Sequence, residues 1–221
     1  MTESQAREEI CRIGKSLFER GYVHATAGNI SARLEDGGHL ITPTDACLGL
    51  LDPSRLAKID AQGRHVGGDR PSKTLALHVR IVAAAGRHDP ATRCVLHTHS
   101  THCVSLSLAG RQDELLAPVT PYFVMKVGHV PHLRYRRPGA AETGDEVAHV
   151  IQRYGAAGTP IRAVMLNRLG PVVWHENPAA AMAVLEELEE TARLTVRSGP
   201  ALQPLDESSI EELRTAFGAR W

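Results

Sequence analysis

The chain has 221 residues, enough for one domain with a substantial buried core, and its 25 lysines and arginines balance 25 aspartates and glutamates. With no net charge there is no bulk field to recruit nucleic acid or an acidic membrane surface, and no apolar run approaches bilayer-spanning length. Cys11, Cys47, Cys94 and Cys103 show neither C-x-x-C spacing nor a secretory context, so they are expected as reduced thiols of a soluble, cytoplasmic protein.

Ile10, Ile13, Leu17 and Phe18 recur at helical spacing, which predicts an amphipathic helix from about residue 5 to residue 19, stopping near Gly21. A glycine- and serine-containing stretch, Thr26 to Ser31, is followed by a strand around Gly38 to Thr42 and a turn at Thr42-Pro43-Thr44-Asp45. Pro71-Ser72 opens a second helix reaching about Ala85, with Ser72 as its N-cap. A strand runs to His99, Thr101 to Leu108 is helical, and Val124 to Val130 is expected to be extended. The basic turn from Arg134 to Gly139 is expected to be a solvated face or a subunit contact. A helix at Asp145 to Tyr154, strands at Ala163 to Leu166 and Pro171 to Trp174, and a long helix from Pro178 to Val196 complete the body. Ser208 and Glu211 have capping-box spacing for a short terminal helix. Strands interleaved with helices, without a regular βαβ beat, predict a three-layer α/β/α protein. One domain spans residues 1–198, and a tail, 199–221, is tethered through the stretch from Ser198 to Pro204.

The most informative run is Val95-Leu96-His97-Thr98-His99-Ser100. Positions i and i+2 of a strand share a face, so His97 and His99 can share one metal ion, while Cys94, Leu96 and Thr98 fall on the opposite face and suit burial. The alternative is a pair of surface histidines on an edge strand; the apolar lead-in disfavours it.

Four ordered motifs carry a resemblance: Ala27-Gly28-Asn29-Ile30-Ser31, Ile41-Thr42-Pro43-Thr44, Pro71-Ser72 before a helix with Leu77-His78, and His97-Thr98-His99. In order and spacing they resemble the class II aldolase/adducin family, over roughly residues 5 to 197. Within it, Thr44 to Gly49, Pro71 to Lys73, Thr120 to Gly128, Tyr135 to Gly139 and Glu186 to Ala192 are most similar to the 3-oxo-tetronate 4-phosphate decarboxylases. The resemblance implies a central, mainly antiparallel sheet flanked by helices, a divalent, zinc-like ion, and a homotetramer with active sites at subunit interfaces.

The chemistry of the residues agrees with a phosphorylated substrate. A glycine lets backbone N–H groups approach an oxyanion and an asparagine adds two donors, which fits Gly28 and Asn29. Thr44 and Ser72 add hydroxyls at positions that match the family's phosphate contacts, and Ser72 brings a helix N-terminus. Where the family's aldolases have Gly after this threonine, the chain has Asp45. Two departures matter more. The aldolases' acid–base Glu at the head of the second helix corresponds to Thr74, and the family's third metal-binding His corresponds to Leu169. That leaves His97 and His99 as ligands, with His129, His102 or water as third.

Loss of CO2 from a β-keto acid leaves its electron pair on the carbon next to the ketone, so no C–H proton need be removed first. A missing base is therefore tolerable for a decarboxylase and much less so for an aldolase. Lys73 is expected to hold the substrate carboxylate or phosphate, and Tyr122 to return a proton. The expected function is metal-dependent decarboxylation of a phosphorylated four-carbon 3-oxo sugar acid to dihydroxyacetone phosphate and CO2. The alternatives are a sugar-phosphate aldolase and a non-catalytic adducin-like scaffold.

Overall fold

Strands from both halves of the chain share one mixed sheet of eight strands in a computed structural model that describes residues 1–110, 113–199 and 202–221. In chain order these are β1 (Asn29–Arg33), β2 (His39–Ile41), β3 (Ala57–Ile59), β4 (His65–Gly67), β5 (Cys94–His97), β6 (His132–Leu133), β7 (Ala163–Leu166) and β8 (Gly170–His175). Their order across the sheet is β4-β3-β2-β1-β5-β8-β7-β6, and every neighbouring pair is antiparallel except β6 and β7. The helices are α1 (Glu3–Glu19), α2 (Leu75–Ala85), α3 (Thr101–Leu108), α4 (Ala141–Ala156), α5 (Pro178–Ser198) and α6 (Glu207–Phe217).

The two faces of the sheet are buried under different helices, and the period of two in the central strands sorts side chains between them. Cys94, Leu96, Ala163, Met165 and Val173 pack with Ile10, Leu17, Leu185 and Leu188 of α1 and α5. Val95, Val164, Val172 and Trp174 pack with Ile81, Val82, Val147 and Ile151 of α2 and α4. These are the three expected layers. Because His97 follows Val95 by two residues, it is directed to the α2 and α4 side, where the cavity described below opens.

Several local expectations are corrected. The strand ends at His97, so His99 lies in the turn that leads into α3. The helix expected from Pro71 begins only at Leu75, with Thr74 rather than Ser72 at its N-cap position. Ser72 instead builds the preceding turn, its carbonyl accepting from Leu75 N at 3.1 Å. Val124 to Val130 is not extended: Phe123–Val127 forms a wide helical turn in which Gly128 N donates to Phe123 O at 2.9 Å. Thr120 starts it, its hydroxyl accepting from Phe123 N at 3.1 Å, and the buried Phe123, Val124 and Val127 follow helical rather than alternating spacing. The terminal helix is capped by Asp206, whose carboxylate accepts from Ser209 N at 2.8 Å, and not by Ser208. β1, β3, β4 and β6 were not expected as strands; each is short, and β3, β4 and β6 span only two or three residues.

Of the stretch expected to tether the tail, Pro200 and Ala201 lie outside the described residues. Beyond them the chain is docked on the body. Leu205 N donates to Pro118 O at 2.8 Å, Ile210 is buried, and Trp221 stacks on His129 with ring centroids 4.2 Å apart and meets Phe123 edge-on. All four cysteines are free thiols.

Trp221→Ala removes that stack and its partial burial, and is expected to cost about 2–3 kcal/mol, a fall in Tm of roughly 5–10 °C. A change of less than about a degree would show that the terminal segment does not hold the body in this way.

Candidate active site

The pairing of β1 with β5 sets Asn29 directly opposite His97. Gly28, just upstream, has φ 84°, and a Cβ there would lie 2.9 Å from the carbonyl oxygen of His97 and 2.7 Å from Val23. Only glycine accepts both the left-handed backbone and the contact. A second strand-like bridge, Pro43 with Pro71, ties the segments of Thr44 and Ser72 together: Thr44 N donates to Arg70 O at 2.9 Å and Ser72 N to Thr42 O at 3.2 Å. Asp45, which replaces the aldolases' Gly, adopts φ 58° and so takes the left-handed backbone that Gly would.

These segments wall a cavity of about 510 Å³. Gly28, Asn29, Thr44, Ser72, Lys73, His97 and His99 all line it, as do Thr74 and Leu169. Tyr122 does not; it is 62% exposed and faces a separate depression beside Lys126 and Glu187. Within one chain, the expected proton donor is thus remote from the other site residues.

His97 and His99 come together with ring centroids 5.1 Å apart. The carbonyl of Pro171 can only accept, so His97 Nδ1, 3.1 Å away, carries the proton and leaves Nε2 with a lone pair. Burial and then the neighbouring His99 push the His97 imidazole down to about 4. Burial and the nearby His24 lower His99 as well. Both rings are therefore neutral donors at neutral pH. They fit as two ligands of a zinc-type ion, with positions left open.

A third protein ligand is not supplied by the expected candidates. His102 is bound through Nδ1 to Glu189 at 2.8 Å, and His129 is stacked under Trp221; neither lines the cavity. Among the described residues no group of three His, Cys, Asp or Glu side chains is arranged to hold an ion. The β7–β8 turn instead delivers Leu169. Arg168 takes φ 65°, and Gly170 has φ 132° and sits so close to the backbone of the histidine loop that a Cβ would lie 1.9 Å from Thr98 O.

Thr74 has its own task. Its hydroxyl donates to Asn29 Oδ1 at 2.9 Å and lies 3.0 Å from Ser72 Oγ. With its proton committed to Asn29, Thr74 accepts from Ser72, and what Asn29 has left to offer a ligand is its NH2 group. Sequence reasoning missed Arg80 and Arg137 in the cavity wall, which Asp45 also lines. Arg80 was findable, since it follows Lys73 and Leu77 on one helical face. In the basic turn, Arg134 and Arg136 pair with Glu146, whereas Arg137 lines the cavity.

A mainly antiparallel sheet between two helical layers, with Gly28, Asn29, Thr44 and Ser72 lining one cavity with an imidazole pair, defines the class to which the chain is compared. The chain belongs to the class II aldolase and adducin family: the model of the Class II Aldolase and Adducin N-terminal domain matches residues 8–196. It is 51% identical to the 3-oxo-tetronate 4-phosphate decarboxylase of Cupriavidus necator over 227 residues, covering 100% of this chain and 99% of that protein. It is 40% identical to the protein of the same name from Escherichia coli K12, covering 96% of this chain and 97% of the relative. Among solved structures it is similar to YgbL of Klebsiella pneumoniae, described as a putative aldolase/epimerase/decarboxylase, with 41% identity, a TM-score of 0.85, and coverage of 97% of this chain and 100% of the other.

Gly170→Ala forces a side chain against Thr98 O in a left-handed backbone and is expected to cost about 3 kcal/mol or more in thermal or denaturant unfolding. A loss below about 1 kcal/mol would contradict the close contact between this turn and the histidine loop.

Proposed function

We propose that the chain is a carbon–carbon lyase that decarboxylates a 3-oxo-tetronate 4-phosphate, giving dihydroxyacetone phosphate and CO2. The observation that carries this reading is that the cavity joins an anion cradle and an imidazole pair while the aldolases' acid–base position holds a hydroxyl, Thr74, already tied to Asn29. The names of the relatives support the same substrate class.

The backbone at Gly28, the Asn29 NH2 group and the hydroxyls of Thr44 and Ser72 hold the phosphate, and Lys73 adds a positive charge for the phosphate or the carboxylate. His97 and His99 would hold a divalent ion, most simply Zn2+. Bound there, the ion supplies a Lewis acid for the ketone oxygen that gathers charge as CO2 leaves. The bond from the carboxyl carbon to C2 breaks, its electron pair moves into the enolate, and a proton then returns to C2. Tyr122 is the donor we assign. Its distance from the cavity within one chain agrees with a homotetramer whose sites lie between subunits, where a second copy would bring it in. Among the described residues no helix is long and apolar enough to cross a membrane, and we place the enzyme in the cytoplasm.

Incubation with 3-oxo-tetronate 4-phosphate is expected to release CO2 and dihydroxyacetone phosphate one for one. Asn29→Asp sets a negative charge against the phosphate and is expected to raise KM by about tenfold or more. The same rise with an unphosphorylated substrate would refute the cradle. Retro-aldol cleavage in place of CO2 release would favour the aldolase reading, and no turnover with no bound ion the scaffold reading.

A further inference from the structure

Glu189 lies in the Glu186–Ala192 stretch, to which the reaction above gives no role. It is a carboxylate in the middle of α5, only 4% exposed. A charge taken that far from water costs several kcal/mol unless donors surround it. Three do. Oε1 accepts from His102 N at 2.9 Å and from His102 Nδ1 at 2.8 Å, and Oε2 accepts from Cys103 N at 3.1 Å.

Those two backbone N–H groups belong to the first turn of α3, which begins two residues after His99. This helix has no side-chain cap of its own. The side chain of Ser100, at the N-cap position, makes no bond to the helix, and its Oγ lies 2.7 Å from Thr98 Oγ1 instead. The carboxylate of a different helix therefore does the capping, and it meets the positive end of the α3 dipole. Upstream, the same loop is held by Pro171, whose carbonyl accepts from His97 Nδ1 at 3.1 Å and Thr98 N at 3.2 Å. Thr98 and Ser100 are fully buried between the two anchors. His99, the partly exposed member of the pair, is carried between one fixed point on β8 and another on α5.

We propose that Glu189 is a positioning residue for the imidazole pair: by clamping the first turn of α3 it sets where His99 stands relative to His97. The inference rests on the reading of these histidines as ion ligands. A carboxamide cannot replace the clamp, because one of its two ends is a donor and would face an N–H group.

The test is Zn2+ affinity of the full chain, measured by competition with a chromogenic chelator at a temperature where circular dichroism shows each variant folded. Wild type is compared with Glu189→Gln, with the double variant His97→Ala/His99→Ala, and with Leu188→Ala, a core change on the same helix. Glu189→Gln is expected to weaken binding by about tenfold or more, while Leu188→Ala, with an equal or larger fall in Tm, stays within about twofold of wild type. Wild-type affinity in Glu189→Gln, or a loss no greater than in Leu188→Ala, overturns the proposal. If Glu189→Gln does not fold, His102→Ala removes one of the three donors and leaves the backbone cap. It is expected to weaken binding at least about twofold, and unchanged affinity overturns the proposal. Wild type that binds no better than the double variant refutes the ion reading itself, and this inference with it.

Discussion

One backbone carbonyl, that of Pro171, organises the centre of this molecule. It accepts from the ring of His97 and from the N–H of Thr98, so strand β8 dictates both the tautomer of the first histidine and the point at which the chain leaves strand β5. The contact is possible only because residue 170 is glycine, since any Cβ there would occupy the space of Thr98 O. The same turn sets Leu169 in the wall of the cavity that the histidine pair also lines. Geometry that holds two imidazoles together thus also decides what stands beside them.

By the family resemblance, an apolar side chain and a hydroxyl, Leu169 and Thr74, correspond to the positions where the family's aldolases have a ligand and a base. Physical chemistry makes these losses unequal across reactions. A chain that must abstract a proton or move a carbon skeleton needs a group with the right proton affinity near the cavity. A β-keto acid supplies its own electron pair when CO2 departs. Thr74 has been put to another use, completing a relay from Ser72 to Asn29 that leaves the amide donors of Asn29 for an anion.

Much of this was legible in the sequence because the governing signals were local. The period of two in Cys94-Val95-Leu96-His97 reads correctly as a buried strand, and α1 follows from apolar spacing alone. Gly28, Asn29, Thr44 and Ser72 follow from glycine and hydroxyl chemistry together with the family resemblance, and one cavity contains all four. What failed depends on contacts distant in sequence. Nothing near Ser72 reveals that its hydroxyl, with Thr74, would be drawn into a chain ending on Asn29 and delay the helix to Leu75. Nothing near Phe123 separates a wide helical turn from a strand except the Thr120 cap. β3, β4 and β6 are too short to show alternation, and they exist because a neighbouring strand pairs with them. Tyr122 is read from its chemistry alone; within one chain it lies on another surface, and its proposed role depends on a second copy.

The central claim is that the carbanion here is generated by loss of CO2 and needs no base at the head of α2. Thr74→Glu restores that base, and CO2 release per bound ion, measured with ion occupancy matched between variant and wild type, tests the claim directly. The account predicts no gain in CO2 release, with slow proton exchange or retro-aldol cleavage as the activity a carboxylate there would add. A large gain in CO2 release at matched occupancy would contradict it, and would mark the chain as a damaged member of its family rather than one adapted to work without the base.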